Sequence, residues 1–240
     1  MTQEIIRTGL GRNLTYGMFD ALGRAIVTGV YDNATFPTEA DLSKQYEVSR
    51  SVTREAVKML TSKGLLSARP RQGTIVQPVA SWNVLDADVL RWMLDRKFSL
   101  NLLRRFTELR LAIEPEGAAL AARAADAADI AAIEAGYRRM EVAEQGDDDP
   151  LLADIAFHIA ILGASGNPFF AQLRDIVSTA LRTSIRFTNR FKGRTASLTE
   201  HKAVLDAIIA QDAQAAHSAM HLLIANVMEL IEAVQVKDES

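Results

Sequence analysis

At 240 residues, with 48% apolar and 24% charged residues and no cysteine, the chain can bury one large core or two modest ones, and it excludes disulfides, thiolate catalysis and cysteine-ligated zinc fingers. No window approaches the roughly 20 uninterrupted apolar residues of a membrane span, and no charged-then-apolar leader opens the chain, so a cytoplasmic protein with no membrane partner is expected. The net charge of −3 is unevenly divided: residues 1–80 hold 10 Lys+Arg against 7 Asp+Glu, and residues 81–240 hold 17 against 23, so only the front is electrostatically suited to a phosphate backbone.

A first helix is predicted from about Leu14 to Thr28, with Met18, Leu22, Ile26 and Val27 inward and Gly29 ending it. Thr38 then reads as an N-cap, with Asp41 three residues on where a carboxylate can return a bond to the cap, and Pro37 closes the preceding loop. Leu42 and Tyr46 face the core of this short helix. After the turn Glu47-Val48-Ser49, a second helix carries Val52, Ala56, Met59 and Leu60 at helical spacing, while Arg50, Ser51, Arg54 and Lys58 occupy the other face. Lys58 or Lys63 alone would be an ordinary solvated residue. Arg50 and Arg54 are more specific, because they stand at i and i+4 in the first turns of the helix that enters the major groove in a helix-turn-helix. Beyond Gly64, Leu65–Ala68 and Thr74–Val76 make a hairpin around Arg69-Pro70-Arg71-Gln72-Gly73. Such a wing can lie along DNA, with Arg69 and Arg71 on phosphate or the minor groove and Gly73 allowing close approach.

This DNA-binding unit, residues 1–78, is followed by a connector over 79–89 and a helical domain over 90–240. Helical periodicity runs through Asp86–Asp95, Leu100–Ala124, Ala127–Gln145, Pro150–Ala164, Pro168–Phe187, Leu198–Ala210 and Ala213–Val234. Six or seven helices with almost no strand signal predict an all-α bundle, so the chain as a whole is mainly α.

Inside the bundle, Asp154 and His158 stand at i and i+4 on a helix that otherwise reads as apolar. A carboxylate and an imidazole one turn apart can share a metal ion, or can hydrogen-bond each other and satisfy the core. His201 is a candidate third ligand, although alone it reads as a capping or surface histidine, and Arg110 is a cation available to a carboxylate ligand. His217 and His221 share a helix face and are expected to be solvated.

The front segment, Phe36-Pro37-Thr38-Glu39-Ala40-Asp41-Leu42-Ser43 through Val48-Ser49-Arg50-Ser51-Val52-Thr53-Arg54-Glu55-Ala56 to Gly73-Thr74, resembles the GntR-family winged helix. The bundle resembles the effector domain of the FadR (FCD) subfamily, through Leu109-Arg110 with Glu114-Pro115, Asp154 with His158, Asn167-Pro168 and Glu200-His201. The connector Trp82–Trp92 looks like that of regulators of sugar-acid catabolism, of the galactonate-operon repressor type. The resemblance implies a homodimeric repressor that binds a palindromic operator and releases it when a small carboxylate, such as a sugar acid, enters the bundle, often over a divalent metal. It carries DNA contacts to Ser49, Arg50, Ser51, Arg54 and Gly73, and a metal, zinc by preference, to Asp154, His158 and His201. The effector carboxylate would meet Arg110 or the metal, with Arg182 and Arg186 as further polar contacts. Two positions depart from the family pattern. Ala40 stands where a basic residue is usual, and Leu223 stands where the last histidine ligand is expected, so weaker metal binding or a metal-free pocket follows. The competing class is a metal-dependent enzyme built on the His/Asp cluster; no nucleophile or general base beyond the ligands supports it, and a non-enzymatic regulator is expected.

Overall fold

The computed structural model describes residues 13–32, 34–69, 73–96, 99–191 and 197–238, apart from the side chains of residues 69, 185–191 and 236–238. Two compact units divide it, Met1–Lys97 and Phe98–Ser240.

In the first unit, α1 (Leu14–Val27) starts where the Asn13 side chain accepts from the amide of Tyr16, and it buries Met18, Phe19, Leu22, Ile26 and Val27. The predicted capping box forms at α2 (Glu39–Gln45): Thr38 accepts from the Asp41 amide, and the Asp41 carboxylate accepts from the Thr38 amide. The turn into α3 (Arg50–Ser62) passes through Glu47 at a positive φ of 53°. α3 turns Thr53, Ala56, Val57 and Leu60 inward, whereas Val52 and Met59 are only half-buried. The buried Thr53 hydroxyl is satisfied by Ser43 Oγ at 2.8 Å, which ties α3 to α2. β1 (Leu66–Arg69) and β2 (Gly73–Val76) form the expected antiparallel hairpin, in register from Leu66↔Val76 to Arg69↔Gly73.

The connector packs within the first unit, which runs to Lys97. α4 (Ala87–Met93) inserts a fully buried Trp92, edge-on to Phe19 at 5.1 Å, with its indole N–H donating to Asp20 at 2.8 Å. Lys63, at the end of α3, reaches Asp86 at 2.6 Å and Asp88 at 3.0 Å, so it is a structural clamp. The Trp92 ring lies directly on Gly23, where an added Cβ would come within 2.2–2.5 Å of three ring carbons. Since Phe19 and Asp20 hold that ring, a Gly23→Ala chain should lose on the order of 2 kcal/mol, the overpacking strain exceeding alanine's gain in helix propensity. Denaturant unfolding followed by tryptophan fluorescence checks this, and an equally stable variant contradicts the packing.

The second unit is helical throughout its described length: α5 (Leu100–Ala124), α6 (Ala127–Glu144), α7 (Pro150–Ala164), α8 (Pro168–Gln172), α9 (Arg174–Phe191), α10 (Leu198–Ile209) and α11 (Ala213–Asp238). Caps explain several starts. Ser99, Asp126, Asp149, Asn167 and Ser197 each accept a backbone amide from the first turn of the helix that follows, and Pro150 and Pro168 take first positions that need no N–H. The single helix predicted over Pro168–Phe187 is two, separated at Leu173, whose amide bonds Phe170 O in a tightened turn. α5 packs along α11, α6 along α7, and α10 against α11 and α6. Together they enclose a core that includes Ile133, Met140, Phe157, Val204, Ile208, Met220 and Ile224. Among the described residues no helix is long and apolar enough to cross a membrane.

Candidate metal and effector centre and DNA-reading face

Three helices bring five polar side chains together inside the bundle. α5 supplies Arg110 and Glu114 one turn apart, α7 supplies Asp154 and His158, and α10 supplies His201; none is more than 5% exposed. Burying five ionisable groups is costly unless they satisfy one another. Asp154 Oδ1 lies 3.0 Å from His201 Nε2 and 3.7 Å from His158 Nε2, and the two Nε2 atoms are 3.4 Å apart. On the far side of each ring stands an acceptor. His201 Nδ1 is 2.8 Å from the Ser197 carbonyl oxygen. His158 Nδ1 is 2.5 Å from Glu114 Oε2, close but too poorly aligned to make a good hydrogen bond.

The Ser197 carbonyl can only accept, so it assigns the Nδ1 proton to His201, and the Glu114 carboxylate, close though misaligned, favours the same tautomer for His158. Both Nε2 atoms and a carboxylate oxygen then face one point, where either a proton, as in a hydrogen bond from His201 Nε2 to Asp154, or a metal ion lies among them. Asp154, His158 and His201 form a buried group that could hold a metal ion. Two imidazole nitrogens, a carboxylate oxygen, and an acceptor behind each ring constitute a donor set that suits a divalent ion such as zinc. Burial alone would raise both carboxyls. For Glu114, Arg110 and His158 outweigh it and hold the pKa down at about 2. For Asp154, the hydrogen bond with His201 and the proximity of His158 and Arg110 likewise bring it below the usual range.

Sequence reasoning missed Glu114 as a member of this centre, although Arg110 and Glu114 at i and i+4 on an otherwise apolar helix face carry the signal. Leu223 is 5% exposed and packs in the main core, so the place of the last family histidine is apolar. Three residues further along α11, Asn226 Nδ2 donates to Glu200 Oε1 at 2.7 Å, which braces the residue before His201. Arg182 is half-buried on α9 and is joined to none of the five by a hydrogen bond or ion pair among the described residues; the side chain of Arg186 lies outside them. His217 and His221 stack on α11 with ring centroids 6.4 Å apart, His221 exposed as expected and His217 half-buried.

The first unit presents the expected DNA-reading residues along one end of α3. Arg50, Ser51 and Arg54 are exposed at its start. Ser49 is the N-cap, its Oγ accepting from the Val52 amide at 3.3 Å, which leaves the hydroxyl proton to donate elsewhere. Arg54 is 77% exposed and stands 3.6 Å from Glu39, an exposed pair of at most about 1 kcal/mol that a phosphate or base edge can replace. Ala40 is exposed on α2 and offers no charge. Gly73 adopts φ +77°, with nothing among the described residues within 4 Å of an added Cβ, so the backbone conformation calls for glycine there. The Arg69 side chain and Arg71 lie outside the described residues.

Comparison with known proteins agrees with both halves. Residues 17–76 match the family of bacterial regulatory proteins, gntR family, and residues 106–226 match the FCD domain. The galactonate operon transcriptional repressor of Escherichia coli K12 is 35% identical over 219 residues, covering 89% of this chain and 95% of the relative. The uncharacterized HTH-type transcriptional regulator YieP of the same organism is 33% identical over 224 residues, covering 89% and 93%. The solved structure of Lar, which controls the expression of the Listeria monocytogenes agr system, is similar in fold, with a TM-score of 0.55 at 16% identity over 92% of this chain and 98% of that one.

Proposed function

The chain belongs to the GntR family of DNA-binding transcriptional regulators and carries the FCD effector domain, and on that footing we propose that it is a cytoplasmic homodimeric repressor of sugar-acid catabolism, released from its operator by a hexonate or similar hydroxy-carboxylate. The observation that carries the effector half is the buried centre itself. A bundle closing only an apolar core has no reason to enclose Arg110, Glu114, Asp154, His158 and His201. The similarity to the galactonate operon repressor over most of both chains supports the sugar-acid class.

Asp154, His158 and His201 would hold the divalent ion, which when bound supplies positive charge against which an effector oxygen can be oriented. With Leu223 at the place of a fourth protein ligand, affinity for the ion would be lower, and effector oxygens would be free to meet it. Arg110 uses Nε and one terminal nitrogen toward Glu114, and its five-donor fork still has Nη1 to offer a carboxylate. Arg182 and Arg186 on α9 are further polar contacts. In the first unit Arg50 and Arg54 read base edges, Ser49 and Ser51 donate to phosphates, and Arg69, Arg71 and Gly73 form the wing contact. Effector binding lowers operator affinity by favouring a dimer whose half-site spacing no longer matches the DNA. No turnover is assigned, since the five groups are occupied as ligands and as one another's partners and none is left as a nucleophile.

Selection of duplex DNA from a random pool tests this reading. The expected product is a two-fold symmetric sequence with half-sites about one helical turn apart, released by D-galactonate or another hexonate and less readily after treatment with chelator. Recovery of DNA without a consensus overturns the repressor reading, and indifference to every hexonate overturns the sugar-acid reading.

A further inference from the structure

Glu114 is the one member of the centre that touches both of its halves. Oε1 accepts from Nε of Arg110, and Oε2 lies 2.5 Å from Nδ1 of His158 and 3.5 Å from a terminal nitrogen of Arg110. Its side chain is 1% exposed, so water is a poor substitute for either partner. Arg110 can only donate, and His158 must donate from Nδ1 if its Nε2 is to face Asp154 and His201 with a lone pair. Both demands are for an acceptor, and a carboxylate is the only side chain of this length that accepts at both ends.

We infer that Glu114 is the positioning residue of the centre, one buried carboxylate that sets the guanidinium of Arg110 and the Nε2-facing tautomer of His158 together. The inference deepens the proposed metal and effector site and rests on that reading. It makes the two arms interdependent. Whatever draws Arg110 away from Glu114 alters the group that orients His158, and an ion that fixes His158 fixes the carboxylate that Arg110 leans on. An amide in its place cannot serve both. With Glu114→Gln, the single carbonyl oxygen goes to Arg110, which has nothing but donors to offer, and the NH2 turns to His158. Nδ1 must then accept and the proton moves to Nε2, where it blocks the metal-facing position.

The probes are zinc alone, by competition with a chelating dye, and the tautomeric state of the imidazoles by nitrogen NMR of histidine-labelled full-length protein, which has only four histidines. Wild type should show His158 protonated on Nδ1. Glu114→Gln should carry the proton on Nε2 and bind zinc roughly 10–100-fold more weakly, the usual size of an outer-shell effect. Because a lone buried Arg110 can prevent folding, two charge-neutral pairs complete the set. Arg110→Met with Glu114→Gln frees the amide carbonyl for His158 and should regain most of the zinc affinity and the Nδ1 proton, while Arg110→Met with Glu114→Leu provides no acceptor and should regain neither. Equal zinc affinity in the Gln and Leu pairs, or an unchanged His158 tautomer in all variants, overturns the inference. A wild-type protein that takes up no zinc overturns the metal reading instead, and the tautomer comparison still decides the role of Glu114.

Discussion

Replacing Arg50 and Arg54 together with alanine should abolish recognition of the selected operator while leaving the fold and the proposed dimer intact. Each lost base-edge contact removes about 1–3 kcal/mol of discrimination, or roughly 5- to 150-fold. Neither side chain supports the unit. Arg50 is exposed at the first position of α3, and the 3.6 Å approach of Arg54 to Glu39 is an exposed pair worth at most about 1 kcal/mol. The buried face of α3, Thr53, Ala56, Val57 and Leu60, is untouched. Anisotropy measured against the operator and a scrambled duplex, with thermal unfolding as control, checks the expectation. Operator affinity that survives both substitutions moves the reading surface off α3.

How far these features were legible in the sequence follows from whether their causes are local. Helix starts were legible at Leu100, Ala127, Pro150 and Leu198, because each follows a side chain that caps its own first turn. The split at Leu173 was not, since Phe170, Leu173 and Val177 keep an unbroken apolar periodicity and no glycine or proline marks the break. Asp154 and His158 announced themselves as polar residues one turn apart on an apolar helix. His201 is legible only as a candidate third ligand, since near the start of an amphipathic helix it also reads as a capping residue, and it is the approach of α7 and α10 that buries it 3.0 Å from Asp154. Glu114 was hidden for a similar reason. An arginine and a glutamate four residues apart can equally be an ion pair on a solvated helix face, and it is burial against α7, a non-local fact, that turns the pair inward. The connector looks like a linker in the sequence, and only a tertiary contact, Trp92 seated on Gly23, shows it packed within the first unit.

That inward pair decides what removal of the arginine does. A chain with Arg110→Ala should be destabilised by about 3–5 kcal/mol, because Glu114 is left as an uncompensated charge in a site where the two side chains are 3% and 1% exposed. For a unit of this size the loss corresponds to a fall in Tm of roughly 10 °C. The same variant, at a temperature where it is folded, should hold its operator at any hexonate concentration, since the fork proposed to meet the effector carboxylate is gone. Lost stability alone would give the opposite phenotype, weaker operator binding, so the two effects are separable in one titration. The neutral pair Arg110→Met with Glu114→Gln separates them again. Removing both charges should return most of the melting temperature, because an apolar and a neutral side chain of similar volume carry no unpaired charge, yet the operator complex should remain blind to hexonate. A neutral pair that recovers stability and also responds to hexonate like the wild type would show that Arg110 is there for the packing of α5 and that the effector is anchored elsewhere, with Arg182 the next residue to replace.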